Sequence, residues 1–134
     1  MTVSFTTAVR NARADAITTA IGASGFIRIY DGTPPASANA ALSGNNVLAE
    51  LALSATYAAA ASGGVLTASA ISNDAAANAT GTATFYRMLK ADLTTVIEQG
   101  TVSTSGADLN LNTTSIVVGG PVAITSKTFT EGNA

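Results

Sequence analysis

Thr80–Ser103, TGTATFYRMLKADLTTVIEQGTVS, is the stretch that decides the fold. It reads as two strands joined by a short turn. Side chains alternate along an extended backbone. Ala83, Phe85, Arg87 and Leu89 therefore take one face, and Thr84, Tyr86, Met88 and Lys90 the other. In the second strand Thr95, Ile97 and Gln99 oppose Thr94, Val96 and Glu98. Asp92 is a turn former, and with Lys90 it keeps the tip wet. Phe85, Tyr86, Met88, Leu89, Val96 and Ile97 are the densest group of large apolar side chains in a chain otherwise filled with Ala, Thr, Ser and Gly. A core grows where the bulk is, so this hairpin is the predicted centre of a β domain.

Working outward, residues 4–21, SFTTAVRNARADAITTAI, place Phe5, Val9, Ala12, Ala16 and Ala20 at helical spacing, with Ile17 and Ile21 beside them. Ser4 or Thr6 caps the start of this predicted helix, and Gly22 or Gly25 ends it. Arg10, Arg13 and Asp15 fall on or near its wet face. Met1–Val3 reads as a short arm.

Gly25–Tyr30 is a strand, stopped by Asp31-Gly32-Thr33-Pro34-Pro35. Residues 36–46 form a long, exposed loop. Val47–Ala55 admits a helix by composition. The Pro and Gly punctuation on both sides favours a strand. Tyr57–Gly64 is a low-complexity connector, and Val65–Ile71 a further strand. Leu109 and Leu111 alternate with Asn110 and Asn112, and Ser115–Val118 and Val122–Phe129 add two more strands around Gly119-Gly120-Pro121.

The expected fold is thus mainly β: a sandwich or jelly-roll-like domain of about seven or eight short antiparallel strands with one N-terminal helix. A single domain spans residues 1–134, with arm and helix at 1–23, the β domain at 24–130 and a loose polar tail at 131–134.

Composition limits the function. Charged residues are 10% of the chain, against about 25% in ordinary soluble domains, and mean hydropathy is +0.35. Such a chain belongs in a membrane or under other protein. No run of about 18 apolar residues offers a transmembrane helix. Three Tyr and four Phe are too few for the aromatic girdles of a membrane barrel. No charged segment followed by an apolar one announces a secretory leader. A covered surface in a larger assembly is the remaining expectation.

The six cations are scattered, so no nucleic-acid track is expected. With neither Cys nor His, the chain lacks a thiolate, the commonest general base and the commonest metal ligand. No cofactor or metal is expected. The eight acids fall mostly in predicted turns and form no recognisable catalytic pair or calcium loop. The Gly-rich stretches lie between strands and lack the Lys of a phosphate loop. Lys90 and Lys127 sit in no Ser-x-x-Lys motif. An enzyme is the least favoured class. Arg10, Arg13, Arg28 and Arg87 are candidates for ion pairs across a subunit contact; the bland alternative is a solvated surface or stems packed over small residues.

The N-terminal helix running into GFIRIYDGTPPASANA (25–40), then VLAELALS (47–54), ASGGVLTASAIS (61–72), ATGTATFYRML (79–89) and STSGADLNLNTTSIVVGGPVAITS (103–126), resembles a family of small structural proteins of tailed bacteriophages. Segments equivalent to Ile27–Pro34, Gly63–Ala68, Thr80–Arg87 and Ser105–Thr114 recur there in the same order. The resemblance covers nearly the whole chain and implies no catalytic residues. It implies a virion component, assembled in the bacterial cytoplasm. The expected role is a capsid decoration, or cement, protein between major capsid subunits, with a homotrimer favoured and Val3 of the arm and Phe5 of the predicted helix added to the candidate contacts. A tail or fibre module is the alternative within the class. A carbohydrate-binding sandwich for host recognition is weaker, since sugar sites favour exposed aromatics and the chain has no Trp and three Tyr.

Overall fold

A computed structural model describes residues 2–134. The chain is mainly β with one N-terminal helix. Helix α1 spans Thr7–Ile21. The strands are β1 (Phe26–Tyr30), β2 (Val47–Ala52), β3 (Val65–Thr67), β4 (Gly81–Thr82), β5 (Phe85–Leu89), β6 (Val96–Ser103), β7 (Leu109–Leu111), β8 (Ser115–Ile116) and β9 (Ile124–Thr130). Seven of them form one curled, half-barrel sheet in the order β2-β1-β5-β6-β7-β9-β3, and β4 pairs with β8 in a small second sheet.

The predicted hairpin stands at the centre of the large sheet. Phe85↔Thr101, Arg87↔Gln99 and Met88↔Glu98 are cross-strand partners, and the register shifts before Leu89↔Val96. That irregularity corrects the sequence reading. Val96 and Glu98 were expected on one face, but the unpaired Ile97 turns Val96 toward the Leu89 side and Glu98 toward the Met88 side. The Asp92 carboxylate builds the turn, accepting from the backbone of Thr94 and from the backbone and hydroxyl of Thr95.

Two further expectations are corrected. The strands curl in one large sheet rather than stacking as two facing layers, and β6 and β7 run parallel. A parallel neighbour ordinarily needs a crossover of a dozen residues. Here the overlap is only Val102↔Leu109 and Ser103↔Asn110, so the five residues 104–108, with Gly106 at φ 70°, are enough to step back one strand spacing. Tyr57–Gly64 is more than a connector, because Tyr57, Ala58 and Ala61 are buried in the core.

The concave side is filled by Ile27, Ile29, Leu48, Leu51, Tyr86, Met88, Leu109 and Leu111, with Leu66 and Ile116 from the flanks. All five residues of β5 are buried, so both of its faces are covered. The expected exposed loop 36–46 belongs to a segment that covers the convex side. Arg87 donates to the carbonyls of Ser37 and Ala40, and Gln99 donates to that of Pro35. Tyr30 and Phe85 stack beneath it with ring centroids 5.0 Å apart.

Helix α1 meets β3 and β6. Thr6 caps it through a side-chain bond from the Val9 N–H, and Gly22 ends it at φ 68°. Its docked face is not the predicted one. Ala14 and Ile21 are buried and Ile17 packs on the core, whereas Val9, Ala12, Ala16 and Ala20 point outward. The reason is polar. Asn11 accepts from the Gly64 N–H at 2.8 Å and Asp15 accepts from the Ala61 N–H at 2.7 Å. Those bonds satisfy backbone groups of the 57–64 segment and fix the helix's rotation.

Candidate functional site

Most charged side chains in this fold are bonded to partners in their own chain. Arg13 pairs with Glu131 at 2.8 Å and lies over the Phe5 ring at 4.9 Å. Arg10 donates twice to the Glu131 carbonyl. The polar tail thereby touches the start of the helix at Glu131, and the Asn133 carbonyl accepts from the Phe5 N–H at 2.7 Å. Arg28 bonds Glu50, its cross-strand neighbour, at 2.7 Å. Arg87 is buried and bound to Gln99 and the covering loop. The structure therefore places each of the four candidate arginines against a partner in its own chain and gathers them in two places: Arg10 and Arg13 beside the chain's end, Arg28 and Arg87 opposite each other on β1 and β5. Val3 is 66% exposed and Phe5 half-buried. Met1 of the arm lies outside the described residues.

The carboxylates follow the same rule. Asp31 is held below its ordinary range by bonds from the Asn46 amide and N–H, and Asp92 by bonds from the Thr95 hydroxyl and N–H. Asp108 is lowered by the N–H and hydroxyl of Thr101, both at 2.9 Å from Oδ2. Among the described residues, Lys90 is the one cation whose side chain has no partner. No group of three His, Cys, Asp or Glu residues suited to a metal occurs among them either.

One polar constellation escaped the sequence reading. Strand β7 is only three residues long, so the β6–β7 ladder begins at Val102. Upstream, Glu98 of β6 reaches Lys127 of β9 directly, with Nζ to Oε1 at 2.5 Å. The Tyr86 hydroxyl donates to the same carboxylate oxygen and accepts from Lys127 Nζ at 2.9 Å. The Lys127 side chain is 2% exposed and that of Glu98 18%. Burial first, then the Glu98 charge, pushes the Tyr86 phenol far above its ordinary value, so it stays protonated and donates. A cavity of about 180 Å³ opens at this place, bordered by Tyr86, Glu98, Asp108, Lys127, Thr128 and Phe129. A legible signal was present in part: Lys127 shares a strand face with Phe129, and a lysine on an apolar face needs an anion.

Large apolar side chains are exposed at a few places on the surface. Val117 and Val118, at the turn after β8, are 60% and 59% exposed. Ala8, Ala12, Ala16 and Ala20 line the outer face of α1 beside Val9. All three tyrosines are buried, so none offers an open platform for a sugar ring. No helix among the described residues is long and apolar enough to cross a membrane. Comparison with protein-family models, with curated proteins and with solved structures finds no match to this chain.

Proposed function

We propose that the chain is a non-enzymatic structural protein of a tailed-phage virion, a decoration protein that binds between major capsid subunits as a homotrimer. One observation carries the reading. Almost every charge is bonded inside the molecule, while Val3, Val9, Val117 and Val118 stand in solvent. A surface with few free charges gains little from water and gains about 25 cal/mol for each Å² of apolar area it covers. Such a surface fits protein neighbours better than a polymer of phosphates or a charged small substrate. The resemblance to phage structural proteins, carried by segments 25–40, 47–54, 61–72, 79–89 and 103–126, supports the same reading.

Cement must resist expansion of a shell, and bonds between distant parts of the chain support that role. The helix is pinned to 61–64 by two side-chain bonds, the chain's end is pinned to the helix by Arg10 and Arg13, and the convex face is strapped by Arg87. The test is to purify particles, separate heads from tails, and probe both for this protein. Recovery with heads, in a copy number divisible by three, is expected. Recovery with tails would transfer the protein to the tail or fibre class and refute the cement role.

A further inference from the structure

We infer that the cavity between β6 and β9 is a binding site for one neutral sugar ring. The inference rests on how the gap is lined and does not depend on particle binding. The Glu98–Lys127 pair spans the opening where β7 falls short, and Tyr86 seals its floor. A buried pair of this kind contributes little net stability relative to apolar residues of the same size, so its presence beside an open cavity points to recognition.

The free hydrogen-bonding capacity defines the ligand. Among the described residues, Glu98 uses Oε1 for both of its bonds, and Asp108 uses Oδ2 for both bonds from Thr101. Glu98 Oε2, Asp108 Oδ1 and the Thr128 hydroxyl remain to accept or donate, and the half-buried Phe129 ring borders them. An anion would meet two carboxylates and one ammonium. A cation would find Glu98 already occupied by Lys127. A neutral ring with hydroxyl donors and an apolar C–H face satisfies both conditions. The volume limits the occupant to a single small ring, since about 180 Å³ lies below the about 300–1,000 Å³ of drug-sized sites.

The experiment is a ¹H–¹⁵N titration with the methyl glycosides of glucose, galactose, mannose and N-acetylglucosamine. At least one is expected to give saturable shifts at the amides of Gln99, Gly100, Asp108 and Thr128, with half-saturation in the millimolar range. Thr128→Val and Phe129→Leu are each expected to weaken that binding at least about fivefold without changing the far-UV dichroism. Thr128 is exposed, so its variant keeps the test available should Phe129→Leu fold poorly. Absence of saturable shifts up to about 100 mM, a hundredfold above a dissociation constant of about 1 mM, would overturn the inference. Saturation by sulfate or methylammonium with the glycosides silent would overturn it equally. A protein that binds heads but no glycoside refutes this inference alone.

Discussion

At the scale of single residues, the molecule's few ionic groups act as internal fasteners. Lys127 is the clearest case, because its ammonium is enclosed and its partners are Glu98 and Tyr86. Removing one member of a buried pair leaves an uncompensated charge, which costs about 3–5 kcal/mol. Lys127→Met is expected to destabilise by about 3 kcal/mol, the lower end of that range because Glu98 keeps some contact with water. Adding Glu98→Leu is expected to recover most of the loss. Urea denaturation of the two singles and the double checks this, and additive losses would contradict it. Thr18 gives an opposite sign. Its hydroxyl is buried without a hydrogen-bond partner. Thr18→Val should therefore gain about 1 kcal/mol by removing an unsatisfied group, read as a rise in denaturation midpoint at constant slope.

The aspartates set the pH dependence at this same scale. Asp31, Asp92 and Asp108 all titrate below their ordinary value of 3.8 when folded, because backbone and side-chain donors hold their ionised forms. A carboxylate lowered by folding contributes its stability above the unfolded value and loses it as pH falls through the folded one. Stability is therefore expected to stay level from neutral pH to about pH 5 and to fall progressively below about pH 4. Thermal melts across that range check it; a loss beginning near pH 6 would contradict it.

Among the elements, helix α1 shows how far pattern reading reaches. Its limits were legible: Thr6 and Gly22 were both candidate caps. Its orientation was not, because Ala occurs on both sides and Asn11 and Asp15 are polar residues that dock inward on backbone N–H groups. Periodicity counts apolar residues and cannot see which carbonyls or amides of a distant loop need partners. The central hairpin was legible for the opposite reason, since its bulk and its Asp92 turn are local properties. What local reading missed there was the irregularity at Ile97, which turns Val96 to the Leu89 side while the Met88↔Glu98 register keeps Glu98 on the side of Tyr86 and Lys127. The cavity depends on the shortness of β7 and on contacts between residues 98 and 127, so no local window contained it. The helix also separates fold from association. Ala16→Lys lies on the outward face and should leave the melting temperature within a degree or two, whereas Ala14→Leu adds bulk to a closed site and should cost about 1–3 kcal/mol. Calorimetry on the two variants distinguishes the faces.

For the whole molecule, the edges of the sheet matter as much as its core. An open edge strand invites pairing with another chain. At β2 that edge is occupied: Asn78 donates to the Leu48 carbonyl, Asp74 accepts from the Glu50 N–H, and Ser72 donates to the Ala52 carbonyl. At β3 the segment 57–62 folds back and bridges Ala58 to Ala68 and Ser62 to Val65. Association through strand addition to the large sheet is thus suppressed, and the exposed apolar side chains lie at Val3, at Leu42, on the outer side of α1 and at the Val117–Val118 turn. The mainly β class with one helix was legible from alternation and turn spacing. The single curled sheet was not, because register and strand order arise from long-range pairing that no short stretch encodes. The most direct measurement of the central proposal is co-sedimentation of the purified chain with isolated phage heads, alongside Ala16→Lys. The account predicts saturable binding of the native chain at a stoichiometry divisible by three, and at least a tenfold loss for the variant. Native chain left wholly in the supernatant, at concentrations where it is folded, would contradict it.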